Sequence, residues 1–461
     1  MNNFGFLSVV PIIIVIVLAV LTKRTMASLI IGSIIASIIA YGTGFFGPWV
    51  DALYAGLADG VWGWMALVCG LFGSLVGLFT ASNCVSSFSD IAYKFANTRR
   101  KSLIATFILG VIVFVDEWLS VLVVGHAMKE VTDKHRIPRE LLAYVITATG
   151  AVVCVLLPFS TWSAFYAGQF EANGIAESGQ GLTAYINTIP YMFWPLFALV
   201  ISLLIVTGVI PVWGPMRKAV LRAEKEGVLL PGGDPSADIV EQEMAAATQE
   251  ENNNKKQKTS ALNFIIPLIV LAAITMMTAE MLYGVMGAII VCAIMYFVQR
   301  ILTFSEFCTA MLDGFKDMLG VIGIVYAAFV LRTLNETLGL ADYVIGAVRG
   351  NISTELLPAA VFVVMCALIY AAGNFWGMAA ISFPVVIPIG LAADANMTLI
   401  ASAVVCATSF GATACFYGSE VALTCSATKV SNIDYAKTSL PIIAIPTVLS
   451  VIAFAIAGYI V

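Results

Sequence analysis

Apolar runs of about 20 residues, the length needed to cross a bilayer, alternate with short polar turns along almost the whole chain. Ten such spans fit the pattern: 5–22, 27–46, 63–81, 139–165, 188–210, 261–279, 282–300, 317–334, 397–428 and 438–461. Two further apolar stretches, 101–129 and 356–394, are interrupted at their middles, the first by Asp116-Glu117-Trp118 and the second by Gly373-Asn374-Phe375-Trp376-Gly377. Non-helical backbone cannot be left facing lipid, so each is predicted to be a re-entrant helical hairpin whose tip is buried in protein. The pattern therefore predicts an all-α polytopic membrane protein with about ten transmembrane helices and two hairpins. The first span has no basic residues before it and is followed by Lys23-Arg24, which reads as a retained span and not a removable leader.

Composition agrees with a bilayer as solvent: 60% of residues are hydrophobic and 11% charged, against about 25% charged in soluble domains. The net charge of -5 points to no nucleic-acid partner, because the positive charges sit in loops and form no basic, aromatic-interleaved groove. Most of the nine cysteines, such as Cys69, Cys154, Cys292, Cys366 and Cys406, lie in apolar runs without the spacing of a metal or disulfide framework. With His126 and His135 the only histidines, no nucleophile-and-base set or metal cluster is visible, and neither an enzyme nor a cofactor is expected. His126 invites a proton-relay reading, although a histidine near a helix end is more often a satisfied interface residue.

Charge placement then orients the chain. With the N-terminus outside, all of the 23 lysines and arginines except Arg332 and Arg349 fall on the cytoplasmic side. Lys101 and Lys129 flank the first interrupted stretch, so both lie inside only if that stretch enters and returns. The expectation is a plasma (inner) membrane protein with both termini extracytoplasmic. The loop 211–260 is polar and Asn/Gln/Glu/Lys-rich towards its end, which reads as a flexible cytoplasmic linker with room for an amphipathic helix near 215–227.

The linker separates two halves, 1–210 and 261–461, with the hairpins at 101–129 and 356–394. An offset of 258 residues lays Asp116 on Asn374, Ser160 on Gly418 and Trp162 on Glu420, and brings both interrupted stretches into register. Each half carries five crossings and one hairpin, and an odd number of crossings turns the second half upside down relative to the first. Inverted repeats with broken helices at matching positions place a binding site near the midplane.

The candidate chemistry lies at the breaks. Acidic side chains at a helix centre cost roughly 2.5–3.5 kcal/mol each on insertion scales, so Asp116 and Glu117 demand a protein interior, a water cavity or a cation. Two carboxylates so close in a poorly hydrated site cannot both ionise cheaply, and they are expected to titrate as a coupled pair. Ser160 and Thr161 follow Pro158 at the second break of the first half, and the run Thr413 to Glu420 occupies the matching break of the second. Asn374 sits at the second hairpin tip. For Ser160, Thr161 and Ser419 taken singly, a bond to their own backbone is an equally open reading. Trp118, Trp162 and Trp376 stand at three breaks, where they would line an organic-ligand pocket or simply pack the tips. Arg332, Asn335 and Glu336 read as a structural group near a span end, with a carboxylate clamp as the other possibility. Gly70, Gly73 and Gly77 have the small-residue spacing of close helix packing.

Val-Phe-Val-Asp-Glu-Trp-Leu-Ser at 113–120, Leu-Pro-Phe-Ser-Thr-Trp at 157–162, Gly-Asn-Phe-Trp-Gly at 373–377 and Phe-Gly-Ala-Thr-Ala at 410–414 occur in order. They resemble the NhaC-type sodium/proton antiporters of the ion transporter superfamily. The resemblance covers roughly 63–460 and implies a scaffold domain and a transport domain with two opposed hairpins moving as an elevator, commonly as a homodimer. It places the family's acidic pair on Asp116 and Glu117, the Na+ candidates. One run departs: the family's Gly-Asp-His-x-Ser-Pro-x-Ser-Asp-Thr is replaced by Gly411-Ala-Thr-Ala-Cys-Phe-Tyr-Gly-Ser-Glu420, which loses both aspartates and the histidine and gains Glu420. The function expected is secondary transport coupled to Na+ and H+ as exchange of cation for proton, with Asp116, Glu117, Ser160, Thr161, Asn374 and Glu420 as ion-site residues. The alternative is Na+- or H+-coupled transport of a small organic solute, an amino acid or carboxylate, beside Trp118, Trp162, Trp376, Thr413, Phe416, Tyr417 and Ser419.

Overall fold

A computed structural model describes residues 4–22, 24–84, 95–231, 259–278, 280–340, 343, 353–416 and 418–461. Tyr417, Arg349, most of the linker (232–258) and the side chain of His126 lie outside what is described. Among the described residues every regular element is a helix, and there are no strands. Eight helices are long and apolar enough to cross a membrane, and Gly181–Tyr191 with Phe193–Val206, bent by 53°, makes a ninth if the pair is one span. Gly5–Ala19, Leu262–Thr278 and Leu357–Ala372 are apolar but shorter. The ten predicted spans fall on helical segments, with 139–165, 188–210 and 397–428 each divided between shorter helices, and Phe375–Ala392, expected as a hairpin arm, itself reaches spanning length.

Besides the short helix Gly181–Thr188, two longer helices, Phe46–Ala58 and Phe304–Asp317, lie where the hydrophobic pattern predicts none. Both are shorter than a span, and Phe304–Asp317 is started by a capping box in which Thr303 and Glu306 satisfy each other's backbone N–H groups. This helix packs backbone to backbone against Gly60–Ala81. A side-chain carbon on Gly73 would stand 2.3 Å from the carbonyl oxygen of Gly314, and one on Gly77 would stand 2.3 Å from that of Ala310. Ser74 donates across the same seam to the carbonyl of Met311 at 2.9 Å. The close packing expected of Gly70, Gly73 and Gly77 is thus present, with Phe304–Asp317 as the partner.

The helix Gly214–Glu226 occupies the start of the linker and buries Met216, Ala219 and Ala223 on one face. Its Arg222 reaches the buried Glu140 at 2.7 Å, and its Glu224 pairs with Arg99 at the start of the first hairpin. The linker therefore begins as a docked element.

The two interrupted stretches are each a pair of helices packed on one another, Arg99–Ile112 with Glu117–Lys134 and Leu357–Ala372 with Phe375–Ala392. Helices begin at Phe46, Arg99, Glu117, Arg139 and Thr161, and again at Phe304, Leu357, Phe375, Met397 and Ser419, each 258 positions later. The most enclosed spans are Arg139–Leu156 and Met397–Thr428, 89% buried, where the other spans range from 33% to 61%. Both are followed or interrupted by breaks, at 157–160 and at 415, 416 and 418, so the irregular backbone lies among the most buried spans, where protein groups satisfy it.

Candidate functional site

The site starts from a capping problem. A helix beginning inside the membrane leaves its first N–H groups without partners, and Asp116, in extended conformation before Glu117–Lys134, supplies the acceptor. Its Oδ1 accepts from the N–H groups of Trp118 at 3.0 Å and Leu119 at 3.1 Å. Its Oδ2 is left for other chemistry and accepts from the hydroxyl of Thr161 at 3.3 Å. Glu117, the first helical residue, accepts from the indole N–H of Trp162. Asp116 and Glu117 are only 4% and 2% exposed. Among the described residues no Lys, Arg or His forms an ion pair with either.

Backbone contacts knit this tip to the break at 157–160. The carbonyl of Val115 accepts from the N–H of Thr161 at 3.2 Å, and that of Phe114 accepts from the thiol of Cys154 at 2.8 Å. Ser160 caps the helix Thr161–Ala172 in a capping box with Ser163, and its hydroxyl donates to the carbonyl of Cys154 at 2.6 Å. Ser160 thus works on the backbone, while Thr161 faces the carboxylate.

The second tip arrives on the other side of Trp162. Gly373 adopts a left-handed conformation (φ 71°), which closes the arm Leu357–Ala372, and Asn374 then caps Phe375–Ala392 by accepting from the N–H of Gly377 at 3.0 Å. Phe375 stacks on Trp162 with ring centroids 5.3 Å apart, and Trp376 sits 5.0 Å from the same ring and 4.8 Å from Phe165. The aromatic wall continues through Tyr166, whose hydroxyl meets that of Thr408, to Tyr185.

The break of the second half brings in Glu420. This residue is 0% exposed and neither of its oxygens has a hydrogen-bond partner; the Ala151 N–H faces it without meeting bonding geometry. A side-chain carbon built on Gly150 would lie 3.6 Å from Glu420 Oε1, 3.7 Å from Ser120 Oγ and 3.8 Å from the carbonyl oxygen of Glu117. Among the described residues no three His, Cys, Asp or Glu side chains stand together as a metal-holding group.

The remaining sequence candidates divide. Trp162 and Trp376 line the aromatic wall, but Trp118 is 36% exposed and stands outside it, and Ser419 is exposed although Glu420 beside it is buried. Thr413 bonds its own helix at Ser409, its carbonyl accepting from Tyr435 at 2.7 Å. Phe416 is half-buried against Tyr370. Arg332 pairs with Glu336 at 3.0 Å, and both line a cleft of about 300 Å³ with Asn335, apart from the carboxylates. Sequence reasoning missed Ser120, Gly150, Phe375 and Tyr166. Two of these carry a local signal, Ser120 four residues after Asp116 and Tyr166 four after Trp162, the spacing of one helix face. Gly150 carries none, because its neighbours come from distant segments.

The sequence profile of the Na+/H+ antiporter family matches residues 174–459. An uncharacterised protein of Haemophilus influenzae is 24% identical to this chain, over 98% of the chain and 91% of its own length. The solved structure of MtrF from Neisseria gonorrhoeae, which belongs to a class of antimetabolite efflux pumps, aligns with a TM-score of 0.46 at 12% identity, covering 88% of this chain and 82% of that one.

Proposed function

The chain belongs to the Na+/H+ antiporter family, a family of transporters and not of enzymes, and we propose that it exchanges a monovalent cation, Na+, for a proton at Asp116 and Glu117. The observation that carries this reading is the environment of the pair: two adjacent carboxylates, buried and without a basic partner among the described residues, held by the two backbone N–H groups that Asp116 caps, the Thr161 hydroxyl and the Trp162 indole N–H. Leaving both charged and uncompensated there is costly, so the site holds either protons or a cation. A cation entering between the carboxylates offsets their repulsion and expels a proton; a returning proton expels the cation. Adjacent helical residues point about 100° apart, so the pair can face one ion only because the helix begins at this point.

Exchange also requires that the site open to one side at a time. We infer that the two halves, 1–210 and 261–461, form an inverted repeat whose opposed hairpins carry the site across as an elevator, in a homodimer. Its support is the shared 258-residue spacing of helix starts in the two halves and the convergence of both tips on Trp162. In this arrangement the linker is cytoplasmic and both termini are extracytoplasmic.

A second reading, cation-coupled transport of an amino acid or small carboxylate, is favoured by the aromatic wall of Trp162, Phe375, Trp376 and Phe165 beside the carboxylates. Purified protein reconstituted in vesicles with an internal pH dye separates the two. Exchange predicts that an imposed Na+ gradient alone moves protons the opposite way; no proton movement without an added organic solute would replace the first reading with the second.

A further inference from the structure

Glu420 takes no part in the exchange described for the first hairpin tip. It is fully buried, and neither oxygen has a partner in hydrogen-bond geometry, the Ala151 N–H being the donor that faces it, a costly state for a carboxylate inside a membrane protein. Ser120, also 0% exposed, has an unpartnered hydroxyl. Serines and threonines of membrane helices ordinarily donate to the carbonyl four residues back, as Thr106, Thr132 and Thr424 do in this protein. Ser120 does not. Its oxygen, Glu420 Oε1 and the main-chain oxygen of Glu117 instead all lie within 3.8 Å of the point where a side chain on Gly150 would begin. Oxygens from the first hairpin and from the helix Ser419–Thr428 thus face a space that exists because residue 150 has no side chain.

We propose that this space is a second binding position for a monovalent cation, held by the Glu420 carboxylate, the Ser120 hydroxyl and the Glu117 carbonyl. All three donors are oxygens and one is a carboxylate, a set that suits a hard cation of single charge and offers no thiolate or imidazole to a transition metal. An organic ammonium group has the same charge and would use the same acceptors. The position differs from the exchange site in its donors: Glu117 presents its side chain to Trp162 but its carbonyl towards Gly150. The inference rests on the reading of Asp116 and Glu117 as a cation site, because Glu117 lies in both and would couple them. Its consequence is two cations per transport cycle.

The test is equilibrium binding of radioactive Na+ to the purified full-length protein at alkaline pH. The native protein is expected to bind two Na+ per chain, and Gly150→Ala one. The added methyl group would sit at ordinary contact distances from its neighbours, so the variant should fold, which a melting curve without Na+ checks. Ser120→Ala and Glu420→Gln, which leave Gly150 unchanged, should each lose the same cation, while the remaining one still competes with protons. If the native protein binds one Na+ and methylammonium fills a second position that Gly150→Ala lacks, the site stands as one for organic amines. One Na+ with no methylammonium binding, or unchanged binding in all three variants, overturns the proposal. A Na+ that Gly150→Ala loses but Asp116→Asn leaves untouched, with no other Na+ bound, overturns the exchange reading instead.

Discussion

The two hairpin tips solve the same backbone problem with different chemistry. Each begins its returning helix with a side-chain acceptor in extended conformation, Asp116 before Glu117 and Asn374 before Phe375. The second tip is short, with a left-handed glycine, and is followed by two aromatic residues that stack on Trp162. The first has no glycine and spreads over 113–116, so that the carbonyls of Phe114 and Val115 reach across to Cys154 and Thr161. One tip presents charge and open backbone; the other presents an amide and an apolar face. Capping alone is satisfied by asparagine about as well as by aspartate, so the acid at position 116 answers to something besides the fold.

If the tips approach from opposite sides, single cysteines at Lys101 and Lys129 react with a membrane-impermeant thiol reagent only from the cytoplasmic face. Cys308, the one described cysteine that is not buried, is replaced in the background. Labelling of either position from outside would remove the opposition between the tips.

Next comes Asp116→Asn, which gives the first tip the capping residue of the second. Coupled transport should fall by about 100-fold or more, the scale of losing a hydrogen-bonded charge worth 2–3 kcal/mol, while the melting temperature stays near that of the native protein. Asp116→Ala also removes the cap and should cost about 1 kcal/mol of stability besides. A smaller loss, about tenfold, is expected for Trp162→Phe, which keeps the stacking on Phe375 but takes the indole N–H from Glu117. The smallest effect belongs to Asn374→Asp, which makes the second tip formally like the first. If its cation affinity changes by more than a few-fold, the second tip is also part of the ion site.

Much of this contrast was legible in the sequence, because polar residues inside apolar runs mark both the breaks and the residues that mend them. Asp116, Glu117, Asn374 and the Pro158 to Trp162 run stand at the breaks the chain makes. Local pattern could not give direction: Ser419 and Trp118 sit at the right breaks and point out, whereas their neighbours Glu420 and Glu117 point in. The helices Phe46–Ala58 and Phe304–Asp317 escaped because they are too short for the hydropathy of a span. The indole of Trp162 on Glu117 joins residues 45 apart, and the space at Gly150 gathers groups from 117, 120 and 420. Such contacts exist only once the helices are packed, and no spacing along the chain encodes them.

The central claim is that proton and cation compete for one place at Asp116 and Glu117, and Na+ affinity against pH tests it most directly. Protonation removes the charge that binds the cation, so affinity is full at alkaline pH and lost as pH falls through the range where the pair takes up its proton. Measured on Glu420→Gln, to isolate the first tip, the dissociation constant should rise by about tenfold per pH unit below that range if one proton is exchanged per cation. Binding that stays flat from acid to alkaline pH would contradict the shared site.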